Sequence, residues 1–278
     1  MKIGSLAGMF LLMAFPLSIY GQTPNKADSA ANGAPQHSHS PLLRSADLKY
    51  LLGATALIGA AYAGDRSIER RFLEPSLQDN SALRHTFNSA GVLGDPGPIV
   101  FSAAAYLGGI ASHSRSVAAL GMYTGEAVVL GGVVAETLKG VAGRSRPKID
   151  TGRVHYFNLG RGFSNDDYGA FPSAETTIAF AAATASSLYV RRQWPSAAHI
   201  VIPATYAAAT LVGVSRLYKK AHWASDVATG AVIGSLAGVG FDRWNRAHPN
   251  NIFEKVFLPR SISSSHGRVS AAWYFELQ

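Results

Sequence analysis

Six apolar stretches, at about 48–63, 99–111, 117–138, 176–190, 197–214 and 226–241, dominate the chain, and each is long enough for a helix. Ala and Gly recur through them, which lets helix axes approach closely. The expected fold is therefore all-α, a six-helix bundle. A length of 278 residues suits one packed domain with appendages and is short for two. Apolar residues make up 47% and charged residues 15%, a balance that moves the chain toward a helical, membrane-related class.

The flanks have a different character. Lys2 precedes an apolar run from Ile3 to Ile19, followed by Tyr20-Gly21-Gln22. This reads as an export signal spanning 1–21 and cleaved after Gly21, with an uncleaved anchor helix as the alternative. Residues 22–45 are polar and unable to bury enough surface to order themselves, so they read as a disordered tether. The helical domain then covers 46–247. The tail, 248–278, carries weak alternation from Val269 to Leu277, as in a short strand. The chain has no cysteine, which excludes disulfides and thiolate chemistry. Its net charge of +8 implies attraction to an anion.

Three polar blocks interrupt the apolar pattern. The first, from Lys139 to Arg146-Pro147, closes the third helix; taken alone, its cations could simply answer the helix C-terminal dipole. The second, Phe171-Pro172-Ser173-Ala174-Glu175, opens the fourth helix. It reads equally as capping chemistry and as an anion seat built from free N–H groups. The third runs from Ser215-Arg216 to His222 and Asp226. If the turn from His222 to Asp226 is helical, the four-residue spacing puts both side chains on one face, where the carboxylate can hold one ring N–H and leave the other nitrogen free. A purely structural His–Asp pair is the alternative.

In this order the blocks resemble the superfamily of type 2 phosphatidic acid phosphatases and vanadium haloperoxidases. Its pattern is Lys-x6-Arg-Pro, then Pro-Ser-Gly-His, then Ser-Arg-x5-His-x3-Asp. The first and third elements are complete as Lys139…Arg146-Pro147 and Ser215-Arg216…His222…Asp226, and the resemblance runs from about Leu48 to Arg243. It implies that Lys139, Arg146 and Arg216 bind phosphoryl oxygens and that Ser173 adds a hydroxyl or N–H contact. It further implies that His222 attacks phosphorus to give a phosphohistidine, with Asp226 orienting the ring. No metal or other cofactor is implied, because three cations supply the charge stabilisation.

The second element departs from the pattern. Ala174 stands where the family has Gly, and Glu175 stands where it has the histidine that protonates the leaving oxygen. Glu175 is then a candidate general acid, which needs its pKa raised; burial would raise it and the neighbouring cations would lower it. Asp166 or Asp167 could supply the proton instead. The leading expectation is a metal-independent phosphatase acting on phosphate monoesters, such as lipid phosphates or isoprenoid pyrophosphates. A catalytically weak phosphate-ligand-binding envelope protein is the alternative, and a vanadate-dependent haloperoxidase stands third. Nucleic acid is not an expected partner, since the basic residues gather at helix ends without interleaved aromatics.

The expected location is the cell envelope, membrane-associated with the site facing the periplasm; a soluble periplasmic bundle is the alternative. Arg115, Arg191, Arg192, Arg243 and Arg246 lie at the helix ends away from the site, where the positive-inside tendency would place cytoplasm. Six spanning helices after a cleaved signal would put the site on the opposite side, so one helix, such as 48–63, need not span.

Overall fold

The computed structural model describes residues 47–149, 153–259, 261–265 and 268–272, the last two segments as backbone. The signal and tether expected over 1–45 lie outside the described residues. Nine helices appear among them: α1 (Leu48–Phe72), a single turn α2 (Pro75–Gln78), α3 (Ser81–Gly94), α4 (Gly97–Ala111), α5 (Arg115–Ala142), α6 (Ala174–Gln193), α7 (Pro195–Tyr218), α8 (Ala224–Ala247) and α9 (Ile252–Phe257). The six expected helices are α1 and α4 to α8, each extending past its apolar stretch into flanking residues, α1 as far as Phe72. Asn80 and Ser114 accept hydrogen bonds from Leu83 N (3.1 Å) and Val117 N (3.3 Å) at the starts of α3 and α5.

Helix α6 forms the centre of the bundle, packed against α5, α7 and α8. Its hydroxyl residues are buried, and they find partners: Thr177 Oγ1 donates to Ser173 O (2.9 Å), and Thr184 shares a hydrogen bond with Tyr206 Oη (2.8 Å). A helix bonded in this way can sit inside protein without being uniformly apolar. Gly234 lets α8 approach α6 closely, since a Cβ there would lie 2.1 Å from Thr177 O. Arg243 near the end of α8 grips Asp47 just before α1 through two bonds of 2.6 and 2.9 Å.

Helices α5, α7 and α8 are long and apolar enough to cross a membrane. Exposed Ile99, Val100, Phe101 and Leu107 on α4 and Val129 and Val133 on α5 add an apolar outer face. The hydropathy pattern marked neither the short α2 and α9 nor α3, the longest of the three. Its Leu83 and Phe87 pack onto the cluster of Phe72, Val214, Leu217 and Tyr218. In the tail, β1 (Ser261–Ser265) pairs antiparallel with β2 (Arg268–Ala272). The expected strand overlaps β2, and residues 273–277 lie outside the described part.

Candidate active site

All three polar blocks meet at one end of the bundle, where α5 and α7 end and α6 and α8 begin. Helix α5 stops because Gly143 takes a left-handed conformation (φ 57°) and returns its N–H to Lys139 O at 3.2 Å. A side chain is excluded there twice over, by the positive φ and by Asn158 O, 1.8 Å from where a Cβ would lie. The long link then folds back on residues 143–146. Asn158 N bonds Gly143 O (2.9 Å), Ser145 N bonds Tyr156 O (3.1 Å), and Arg146 N bonds Asp167 O (2.9 Å).

His222 lies at the centre, 1% exposed. Its Nδ1 is 2.6 Å from Ala170 O, and its Nε2 is 3.2 Å from Glu175 Oε2. A carbonyl oxygen only accepts, so Nδ1 carries a hydrogen. The contact between Nε2 and the carboxylate then holds one further proton between the two groups. Glu175 Oε1 reaches Arg216 Nη1 at 3.2 Å. Burial pushes the Glu175 carboxyl up, but the hydrogen bond and charge of His222, its own backbone N–H and the Arg216 guanidinium outweigh burial and hold it well below the usual carboxylate range. Of the two opposed influences expected from the sequence, the lowering one wins.

The expected pairing of Asp226 with the His222 ring is corrected. The helix starts at Ala224, so His222 lies outside it and the four-residue spacing does not bring the two side chains together. Asp226 Oδ2 instead accepts from Trp223 N (2.7 Å), and Oδ1 meets Arg144 Nη1 (2.5 Å). Asp226 thus fixes the first turn of α8 and Arg144, while the Ala170 carbonyl sets the ring's tautomer. Ser173 is also corrected in part. It is fully buried, its N–H donates to Asp226 O (3.1 Å), and its hydroxyl accepts from Thr176 N (3.4 Å), so the N–H expected to meet a phosphate is already committed.

Each expected phosphate-binding cation holds a carboxylate. Lys139 Nζ is 2.6 Å from Glu136, Arg146 Nη2 is 2.6 Å from Asp166, and Arg216 bonds Glu175 as described. Asp166 is turned to Arg146, and Asp167 lies 3.2 Å from Lys148. Of the three acids considered as proton donors, Glu175 is the one bonded to His222. Among the described residues, no group of three or more His, Asp or Glu is arranged to hold a metal ion.

Three contributors were not read from the sequence. Asp65 of α1 and Arg144 form a buried ion pair (2.7 Å), and Asp65 also accepts from Ser225 N (2.8 Å) and Ser225 Oγ (2.6 Å). This network ties α1 to the start of α8. Lys219 lies beside Arg216: a Cβ on Gly91 would be 2.8 Å from both Lys219 Nζ and Arg216 Nη2, so α3 approaches these cations closely. Burial, then the neighbouring Arg216, lowers the Lys219 pKa. The third is the backbone carbonyl of Ala170, for which a sequence offers no signal.

The sequence model of the family described as the PAP2 superfamily matches residues 120–252. A lipid A 1-phosphatase of Porphyromonas gingivalis is 41% identical over 71 residues, 25% of this chain and 15% of that relative. The match therefore spans less than a fifth of the relative's length. A crystal structure titled as the first transmembrane PAP2 type phosphatidylglycerolphosphate phosphatase, from Bacillus subtilis, is similar at 18% identity with a TM-score of 0.48. That alignment covers 73% of this chain and 95% of the other.

Proposed function

We propose, from the match of the PAP2 superfamily model to residues 120–252, that the chain is a member of that superfamily and a metal-independent phosphomonoesterase of the cell envelope that works through a phosphohistidine on His222. The observation that carries this reading is the setting of His222. Its Nδ1–H is fixed on a buried carbonyl, and its Nε2 faces the space shared by Glu175 and Arg216. A ring held in one tautomer and orientation presents a defined nitrogen to phosphorus. Arg216, Arg146 and Lys139 exchange their carboxylate partners for phosphoryl oxygens as charge develops, which is the main task in phosphoryl transfer. Water then attacks phosphorus and releases phosphate.

The substrate class we favour is a phosphorylated lipid, either a lipid phosphate monoester or an isoprenoid pyrophosphate. The exposed apolar side chains Leu138, Val141, Phe157, Leu159 and Phe163, on α5 and the link that borders the site, support it, together with the three apolar helices. Such a rim suits acyl chains or a bilayer interface next to a polar headgroup site. We place the protein in the membrane with the site facing the periplasm; release into the soluble fraction by a carbonate wash would contradict that placement.

One observation favours a second reading, a phosphate-ligand binder with little turnover: Glu175 already occupies Nε2. Phosphate release from phosphatidic acid and from a chromogenic phosphate ester, comparing wild type with His222→Ala, separates the two. The enzyme reading expects release that disappears in the variant. Ligand binding without His222-dependent release from either substrate supports the binder.

A further inference from the structure

The proton between His222 and Glu175 poses a chemical problem with a single resolution in this site. With Nδ1–H committed to Ala170 O, Nε2 is the nitrogen available to attack, and it cannot attack while protonated. The leaving oxygen, for its part, needs a proton, and the position that would hold a donor histidine holds Glu175, whose carboxylate is ionised at rest. One proton is in the wrong place and one is missing.

We infer that Glu175 carries this proton from nucleophile to leaving group: it takes the Nε2 proton of His222 as the phosphoryl group enters and gives it to the ester oxygen as the P–O bond breaks. The inference rests on the phosphomonoesterase reading and assigns Glu175 two successive tasks within it. The geometry suits them. Glu175 bridges Arg216 and His222 Nε2, so its carboxylate fills the space in which a phosphoryl group would take up the same two partners. Its stem is pinned, because Gly94 of α3 packs so close that a Cβ there would lie 3.2 Å from Glu175 Cβ. An entering phosphoryl group therefore displaces the carboxylate from Nε2 while leaving it in the site. In-line displacement puts the leaving oxygen opposite Nε2, where a retracted Glu175 can meet it.

The step balances. A phosphate monoester dianion meets the imidazolium–carboxylate pair, and the Nε2 proton passes to Glu175. The Nε2–P bond forms, and the P–O ester bond breaks with its electron pair on oxygen. Glu175 then protonates that oxygen, the alcohol leaves, and a phosphohistidine remains beside an ionised carboxylate. Water next attacks phosphorus and gives a proton to Glu175, the N–P pair returns to Nε2, and that proton restores the resting pair.

The test uses the full chain in detergent micelles with two monoesters, hexyl phosphate, whose alkoxide needs protonation, and p-nitrophenyl phosphate, whose phenolate leaves without it. Glu175→Gln removes the proton acceptor for both esters and the donor that hexyl phosphate alone needs, so it should slow hexyl phosphate by about a hundredfold to ten-thousandfold more than it slows p-nitrophenyl phosphate. Glu175→Asp, which keeps a carboxylate, should retain part of the hexyl phosphate rate. Equal losses on both esters, or faster turnover of both, would overturn the inference, the latter showing that the carboxylate merely obstructs the site. Wild-type protein alone supplies an independent check: across monoesters of rising alcohol pKa its rate should vary little, and a steep fall would overturn proton delivery. Wild type that releases no phosphate from either ester in a His222-dependent way would instead sink the hydrolase reading, and this inference with it.

Discussion

Asp65→Ala tests whether the site depends on the buried network behind it. Asp65 and Arg144 have fully buried side chains 2.7 Å apart, and Asp65 also receives the backbone N–H and hydroxyl of Ser225. Removing the carboxylate leaves Arg144 with one of its two acid partners and takes the acceptor from the Ser225 N–H and from the Ser225 hydroxyl proton, although that hydroxyl oxygen still accepts from Arg144 Nη1 (2.7 Å). Breaking a buried pair in this way costs about 3–5 kcal/mol, because the surviving charge stays out of water. At about 2–4 °C per kcal/mol for a domain of this size, the melting temperature should fall by about 6–20 °C. Asp65→Asn, which keeps the shape and one acceptor, should lose about 1–3 kcal/mol. Asp167→Ala serves as the control, since its partner Lys148 is 3.2 Å away and both side chains are nearly half exposed; such a pair contributes at most about 1 kcal/mol. Thermal unfolding of the purified protein in one detergent, followed by circular dichroism, compares the three variants. An Asp65→Ala shift no larger than that of Asp167→Ala would refute the claim that this network holds the start of α8 in place.

The other predictions concern the site itself. Gly143→Ala forces a side chain onto a left-handed residue with Asn158 O 1.8 Å from the new Cβ, so the link bearing Arg146 must shift; vanadate inhibition should weaken by at least about tenfold, the equivalent of about 1.4 kcal/mol. Asp166→Ala releases Arg146 from a partner that is itself mostly exposed, and vanadate should bind up to about fivefold more tightly, within the range of an exposed ion pair. Glu175→His places a ring where the family carries its proton donor and should raise phosphomonoesterase activity; an unchanged or lower rate in a folded variant would argue against Glu175 occupying the acid position.

The helices were legible because burial needs long apolar stretches, and 48–63 through 226–241 announce themselves. Ser81–Gly94 escaped because its two decisive apolar residues, Leu83 and Phe87, sit among Arg84, His85 and Asn88 and dilute any hydropathy average. The resemblance to the family's gapped motifs pointed to the cations and His222, and the ends of α5 and α7 and the starts of α6 and α8 bring those blocks to one end of the bundle. Spacing misjudged Asp226, because a four-residue separation implies a shared face only if the helix already runs through His222, and it does not begin until Ala224. Asp65 was invisible for a related reason: one acid in α1 finds its partner Arg144 through tertiary packing. The charge state of Glu175 depended on which neighbour lay closest, and composition could not rank burial against His222 and Arg216.

Everything proposed for this site turns on phosphorylation of His222 Nε2. Rapid quenching of the full chain during turnover of p-nitrophenyl phosphate, followed by peptide mapping, tests it directly. An acid-labile, base-stable phosphoryl group should appear on the peptide containing His222, formed as fast as the ester turns over and absent from His222→Ala. Turnover that proceeds with no phosphoryl group on that peptide, or that persists in His222→Ala, would contradict it.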